Sequence, residues 1–303
     1  MSNALRLTLY GLLSAIMLAS SYAHAQHHLA ISNAQSVFKQ PGKFIWADLI
    51  TADAAKAARF YTSLLGWDVK QVDKRYFMAS NNGRRIAGFA EHQGKKRDNS
   101  NTRWIPYISS RSPDNDATYA SENGGSVHIA PKDIEGRGRF ALLSDSEGAL
   151  FGVLNSISGD PEDHIPDIGE WVWQELWASK PNQLAQFYLN AGYEKFESLP
   201  SENSENDIII ASGGYARASI VHKTDARQQT VWLMYVRVEN IDAIASKATQ
   251  LGGQVLMQAE DLSSAYPVIV LADNTGGVFA AVEWSPAQDS AESQNETAQE
   301  EAK

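Results

Sequence analysis

Trp46-Ala47-Asp48-Leu49 and Trp173-Gln174-Glu175-Leu176 carry the same four-residue pattern, and each Trp is followed fourteen residues later by an aromatic pair, Phe60-Tyr61 and Phe187-Tyr188. Further along, Trp104-Ile105-Pro106-Tyr107 returns as Trp232-Leu233-Met234-Tyr235. From that point the offset holds at 128: Gly124-Gly125 with Gly252-Gly253, Asp145 with Asp273, Gly148 with Gly276, Phe151 with Phe279. One register kept across so many large or special residues marks a tandem duplication.

Each copy divides again. Phe44 to Leu49 alternates like a short strand, and Ala54 to Leu65 has helical spacing, with Ala57, Phe60, Tyr61, Leu64 and Leu65 on one face. Gly66 suits the end of that helix. Strands near Val69, Phe77 and Ile86 follow, separated by the Asn81-Asn82-Gly83 turn. A strand over 104–109, a helix from about Asp114 to Glu122 and strands near Val127, Phe140 and Leu150 repeat the order. The pattern predicts an α+β fold of four βαβββ units.

At this level the chain resembles the vicinal-oxygen-chelate superfamily, which includes glyoxalase I, extradiol dioxygenases and bleomycin-resistance proteins. The likeness rests on Trp46, Asp48, Leu49, Thr51, Asp53, Phe60, Tyr61, Leu65, Gly66 and Trp67. The Gly138-Arg139-Phe140-Ala141 run and the Asp145-x-x-Gly148-Ala149-x-Phe151 turn extend it. It implies two tandem domains. The expected boundaries are 42–157 (units 42–92 and 103–155) and 169–284 (units 169–222 and 230–284), joined by a linker over 158–168.

The flanks read differently. Arg6, a mainly apolar run over 7–18 and Ala23-His24-Ala25 have the layout of a signal peptide over 1–25, giving an exported, periplasmic or secreted protein. No stable membrane anchor is expected after cleavage, because the apolar run falls short of the roughly 20 residues that span a bilayer. Residues 26–41 form a polar leader. Residues 285–303, without an aromatic side chain, are expected as a disordered acidic tail.

The chain has 303 residues and no cysteine, which removes thiol nucleophiles and iron–sulfur clusters. A net charge of -10 argues against nucleic-acid partners, since phosphates would be repelled.

The resemblance also says where a metal would sit. The implied ligand positions hold Trp46, Ile105 and Gly152 in the first copy, and Trp173, Leu233 and Ala280 in the second. None of these side chains donates a lone pair to a divalent cation, so no cofactor is expected in either cup. Cleavage after Ala25 would expose Gln26, His27 and His28, a possible nitrogen set for Cu(II) or Ni(II).

Period-two alternation places Trp46 with Asp48, and Trp173 with Glu175, on one sheet face; Tyr107 and Tyr235 join them from the neighbouring unit. Such an aromatic and acidic cup suits a flat or cationic small molecule. The same pattern also suits a structural carboxylate amid core aromatics. His92 and His222, read as a repeated strand-end placement, together with His128 and Arg139, are further candidates. The function expected is small-molecule binding in a metal-free cup. The alternative is a glyoxalase-like lyase, isomerase or dioxygenase with a relocated metal or a carboxylate base.

The flank reading predicts that the mature protein begins at Gln26 and lies outside the cytoplasm. N-terminal sequencing of the soluble protein checks it, and an intact Met1 refutes it.

Overall fold

The computed structural model describes residues 29–33, 38–92, 102–191, 197–199 (backbone only), 208–223, 229–258 and 266–286. The expected signal peptide, the Gln26, His27, His28 set and nearly all of the acidic tail lie outside these residues. No helix among the described residues is long and apolar enough to cross a membrane.

The first unit runs β1 (Phe44–Thr51), α1 (Ala54–Leu65), β2 (Asp68–Asp73), β3 (Tyr76–Asn81) and β4 (Arg84–Glu91). The second is β5 (Arg103–Ser109), α2 (Pro113–Glu122), β6 (Ser126–Ile134), β7 (Gly138–Ser144) and β8 (Leu150–Ser156). The third comprises β9 (Trp171–Ala178), α3 (Pro181–Leu189), β10 (Glu197–Leu199), β11 (Ile208–Ser212) and β12 (Tyr215–His222). The fourth comprises β13 (Val231–Arg237), α4 (Ile241–Gln250), β14 (Gln254–Met257), β15 (Val268–Ala272) and β16 (Val278–Val282).

Local chemistry sets the helix ends. The Asp53 carboxylate accepts from Lys56 N at 2.9 Å, and Gly66 closes α1 in the left-handed conformation. Ser112 and Asn240 cap α2 and α4 in the same way. No side chain of its own caps α3. The N–H groups just ahead of it, of Ser179 and Lys180, donate instead to Glu147, in the turn before β8, at 2.7 and 2.8 Å.

Two eight-stranded mixed sheets result, ordered β2-β3-β4-β1-β5-β8-β7-β6 and β10-β11-β12-β9-β13-β16-β15-β14. Units pair in sequence, first with second and third with fourth. The antiparallel β1–β5 and β9–β13 pairs form the centres. Alternation sends Ala47, Leu49 and Trp104 to the helix-covered face and Trp46, Asp48, Ile105 and Tyr107 to the other. A register shift between Phe44 and Trp46 places Ile45 beside Trp46 on that second face. The second face is curled into a cup. Strands β3 and β7 are five positions apart, about 24 Å in a flat sheet, yet Arg137, one residue before β7, reaches the Tyr76 hydroxyl on β3 at 2.6 Å.

The helix-covered faces pack across the sheets. One core joins the first unit to the fourth, with Phe60, Tyr61 and Trp67 against Val236, Leu271 and Phe279. The other joins the second to the third, with Leu143 and Phe151 against Leu184, Phe187 and Tyr188. The same buried triad locks each seam. Tyr61 Oη accepts from Trp104 Nε1 at 2.9 Å and donates to Asp273 at 3.0 Å. Tyr188 Oη accepts from Trp232 Nε1 at 3.1 Å and donates to Asp145 at 2.7 Å.

Burial raises the Asp145 carboxyl from its ordinary 3.8 to about 6, against the opposing hydrogen bonds from Tyr188 and from the Ala149 and Glu147 amides. A raised folded pKa means that this group's contribution to stability is full below about pH 4 and is lost as pH rises through 6. Because the Tyr188 bond favours the ionised form, Tyr188→Phe raises that pKa further. The variant is expected to lose about 1–3 kcal/mol near pH 8, and less near pH 4. Urea melts across this range check both the size and the slope.

Candidate functional site

In the first cup Asp48 is 3% exposed and fully engaged. Its Oδ1 accepts from Trp46 Nε1 at 2.8 Å and from Tyr76 Oη at 2.5 Å; its Oδ2 accepts from Tyr107 Oη at 2.6 Å. The fourth partner is Arg137, whose Nη1 lies 3.2 Å from Oδ2. The Arg137 guanidinium carbon stands 5.3 Å from the Trp46 ring centroid and 4.9 Å from that of Tyr76. Burial works against its charge, yet Tyr76, Asp48 and Tyr107 outweigh this and raise its pKa. Burial is likewise the chief reason the Tyr76 and Tyr107 hydroxyls are held well above their ordinary range, which keeps them protonated donors. Gly88 makes the cluster possible. A Cβ there would stand 1.9 Å from Tyr76 Oη and 2.2 Å from Asp48 Oδ1.

The leader closes this cup. Ala30 and Ile31 are buried, and Ile31, completely so, joins the cluster that holds Trp46, Ile105 and Phe140. The Leu29 carbonyl accepts from Arg137 Nε at 3.1 Å, and the Ala30 carbonyl from Arg85 Nη1 at 2.6 Å. The expectation of a merely polar leader is corrected: its short apolar run fills the cup mouth and buries surface that would otherwise be wet.

The second cup is built on the same frame with different occupants. Glu175 Oε1 accepts from Trp177 Nε1 at 2.5 Å and Tyr235 Oη at 2.8 Å, and Oε2 from Ser219 Oγ at 3.3 Å. Trp173 Nε1 donates to the same Ser219 Oγ at 3.0 Å. Ser219 faces Glu175 in the register where Gly88 faces Asp48. Glu175, Trp173 and Trp177 are all partly exposed. Burial and the adjacent Glu175 raise the Tyr235 hydroxyl well above its ordinary range.

The structure thus brings together Trp46, Asp48 and Tyr107 in one cup, and Trp173, Glu175 and Tyr235 in the other. It separates the remaining candidates. Arg139 is out of phase with the cup-facing Phe140 and forks onto Asp114 of α2 at 2.5 and 2.7 Å. The arginine that enters the cup is Arg137, two residues before the Arg139 candidate. His92 and His222 are not a repeated placement: Gly88 and Ser219 are equivalent, so one histidine follows four residues later and the other three. His222 is exposed on the helix-side phase, paired with Ala178, whereas His92 Nε2 is buried with no hydrogen-bond partner among the described residues. His128 is exposed on β6, its Nε2 3.0 Å from Ser144 Oγ.

Sequence reasoning missed Arg137, Tyr76, Trp177 and Ser219. Trp177 was available, two residues beyond Glu175 on the same face. Arg137 was not, because Gly138, at a φ of 128°, breaks the alternation that leads back from Phe140.

The residues at the implied metal positions do not fit a metal. Trp46 and Ile105 face the first cup as indole and alkyl groups, and a Cβ at Gly152 would stand 2.9 Å from the Tyr107 ring. Leu233 and Ala280 line the second. Among the described residues no group of three or more His, Cys, Asp or Glu side chains converges. A crevice of about 660 Å³ opens elsewhere, on the seam between the sheets, lined by residues such as Arg103, Glu147, Lys180 and Lys223; it borders neither carboxylate.

Paired βαβββ units closing two curled sheets, each with a carboxylate at its centre, define a glyoxalase-like architecture. Residues 43–153, which span the first sheet, match the family model of the Glyoxalase/Bleomycin resistance protein/Dioxygenase superfamily. It is 27% identical over 248 residues to "Putative glyoxylase CFP32" of Mycobacterium tuberculosis, covering 80% of this chain and 95% of that protein. It is 26% identical over 261 residues to the anthracycline biosynthesis protein DnrV of Streptomyces peucetius, covering 80% and 94%. In fold it is similar to the Mn(II)-bound glyoxalase from Novosphingobium aromaticivorans, with a TM-score of 0.56 at 11% identity over 81% of this chain and 83% of that one. It is also similar to homoprotocatechuate 2,3-dioxygenase from Brevibacterium fuscum, with a TM-score of 0.55 at 12% identity over 83% of each chain.

Removing one member of a buried pair strands the other, at a cost of about 3–5 kcal/mol. Arg137→Met is therefore expected to destabilise the chain on that scale. Arg137→Met combined with Asp48→Asn should recover much of the loss. Chemical denaturation of the two variants and the single Asp48→Asn closes the cycle.

Proposed function

We propose that this chain is an exported protein that binds a small organic molecule, and that the second cup is the binding site. The observation that carries this reading is the contrast between the two cups. Both present indoles, a tyrosine hydroxyl and a carboxylate, but the first is filled by Arg137 and the leader, while Glu175, Trp173 and Trp177 remain partly open to solvent. Mostly apolar walls around a few fixed polar groups are what small-molecule sites offer. Burying a planar ligand against two indoles supplies affinity, and the fixed carboxylate supplies orientation. Export rests on the N-terminal layout alone.

A second reading is catalytic: a glyoxalase-like lyase or isomerase, or a dioxygenase, with Glu175 as base or with a relocated metal. It is favoured by the glyoxylase name of the mycobacterial relative. In the second cup one carboxylate offers too few donors for a tight cation site.

Titrating the purified chain with a panel of small aromatic molecules, followed by tryptophan fluorescence, is expected to give saturable binding that Trp173→Phe weakens and chelator treatment leaves intact. Calorimetry of chelator-treated protein with zinc, iron(II), nickel and manganese should show no tight site in either cup. One ion bound per sheet, lost on substitution of cup residues, would favour the catalytic reading instead.

A further inference from the structure

The leader segment that closes the first cup is held in the manner of a guest. Of its residues 29–33, none pairs with a strand of either sheet and none belongs to a seam core. Two consecutive main-chain carbonyls make its bonds to the arginines of the cup. Leu29 O accepts from Arg137 Nε at 3.1 Å, and Ala30 O from Arg85 Nη1 at 2.6 Å. Arg85 lies on β4 and Arg137 just before β7, so the pair reaches in from either side of the central β1–β5 strands. Ile31 supplies the apolar part, completely buried in the cluster of Trp46, Ile105 and Phe140. At the rim, Ser32 N donates to Ser158 Oγ at 3.3 Å and Asn33 Nδ2 to the Gly83 carbonyl at 2.5 Å.

These cup contacts read chemistry that a separate molecule can also offer. An arginine N–H bonds any amide oxygen, and the pocket around Ile31 takes any branched aliphatic group of that size. The walls do not need the leader: Asp48 takes Trp46, Tyr76, Tyr107 and Arg137 as partners, and all four belong to the first sheet or its turns. Nor does the frame need a cover. The second cup stands on the same frame, and none of residues 158–168, the linker ahead of it, belongs to its apolar cluster. What continuity with the chain adds is local concentration, since a short tether presents its occupant at an effective millimolar level.

We propose that the first cup is a binding site for a short aliphatic peptide, and that leader residues 29–31 are its built-in occupant. What the site recognises is two consecutive carbonyl oxygens, read by Arg137 and Arg85, beside one branched aliphatic side chain. A free peptide enters only in exchange for the leader, so the leader acts as an autoinhibitory plug. This site is separate from the second cup and goes beyond the reading given for it.

The test compares the full purified chain with its Ile31→Asp variant, in which a charge in the apolar pocket drives the leader out. The probe is the peptide acetyl-Leu-Ala-Ile-Ser-amide, titrated by calorimetry. Ile31→Asp is expected to melt cooperatively and to bind the peptide at one per chain. The unaltered chain should bind it at least tenfold more weakly, because its own leader competes. The same peptide with aspartate in place of isoleucine should not bind either chain. Adding Arg85→Ala to Ile31→Asp should weaken the peptide at least fivefold. Loss of cooperative melting in Ile31→Asp overturns the proposal, since the leader is then part of the core on which the fold depends. A folded Ile31→Asp variant that binds no peptide also overturns it and leaves the leader a fixed cover. Equal affinity for the two chains, or binding indifferent to Arg85→Ala, places the peptide elsewhere and overturns it as well.

Discussion

A tyrosine hydroxyl shared between sheets governs this molecule. Tyr61 sits on a helix of the first sheet and donates a hydrogen bond to Asp273, on a turn of the second; Tyr188 and Asp145 make the reciprocal bond. Both carboxylates are buried, and both have their other oxygen held by turn amides, those of Glu147 and Ala149 in one case and of Thr275 and Gly277 in the other. An unpartnered carboxylate at such depth would be expensive, so the turn, the helix and the tryptophan must arrive together. The lock therefore fixes which units face each other. It commits the helix-covered face of each sheet to the seam and leaves the opposite faces to become cups.

This explains why the most recognisable residues say so little about activity. Phe60-Tyr61, Trp104 and the Asp-x-x-Gly turns belong to the seam cores. Thr51 and Asp53 shape the entry to α1, with Asp53 capping it, and Trp67 donates to the Gly169 carbonyl at 2.7 Å, tying the start of the second sheet to the first. These are constraints of assembly, and any chemistry hosted by the fold must satisfy them. The cup positions are the ones that the lock does not use.

Legibility followed the same division. The duplication, the unit order and the pairing of Trp46 with Asp48 were readable because period and register are arithmetic properties of a sequence. The closed state of the first cup was not. Its decisive residue lies in a turn flanked by Gly136 and Gly138, both at positive φ, where side-chain direction is no longer set by alternation. Its cover comes from three leader residues whose short apolar run has no period to detect. Tyr76 was equally hidden, since its reach to Asp48 depends on a glycine one strand away whose meaning appears only in register. The histidines mislead because a shared place at a strand end does not fix a shared phase, and a one-residue difference reverses the face of a strand.

The two cups then show one physical problem solved twice. A carboxylate on the central strand of a curled sheet must be satisfied, and hydroxyl and indole donors from neighbouring strands do part of that in both copies. In the first copy the remainder is internal: a buried guanidinium and a leader that excludes water, an arrangement that favours rigidity and leaves no room for a guest. In the second the carboxylate is carried one methylene further from the backbone, on Glu175, and flanked by indoles that stay partly wet. Two partly exposed indoles in a concave site leave apolar surface that a flat guest can cover, displacing water from it. Divergence after duplication needed no new fold for this.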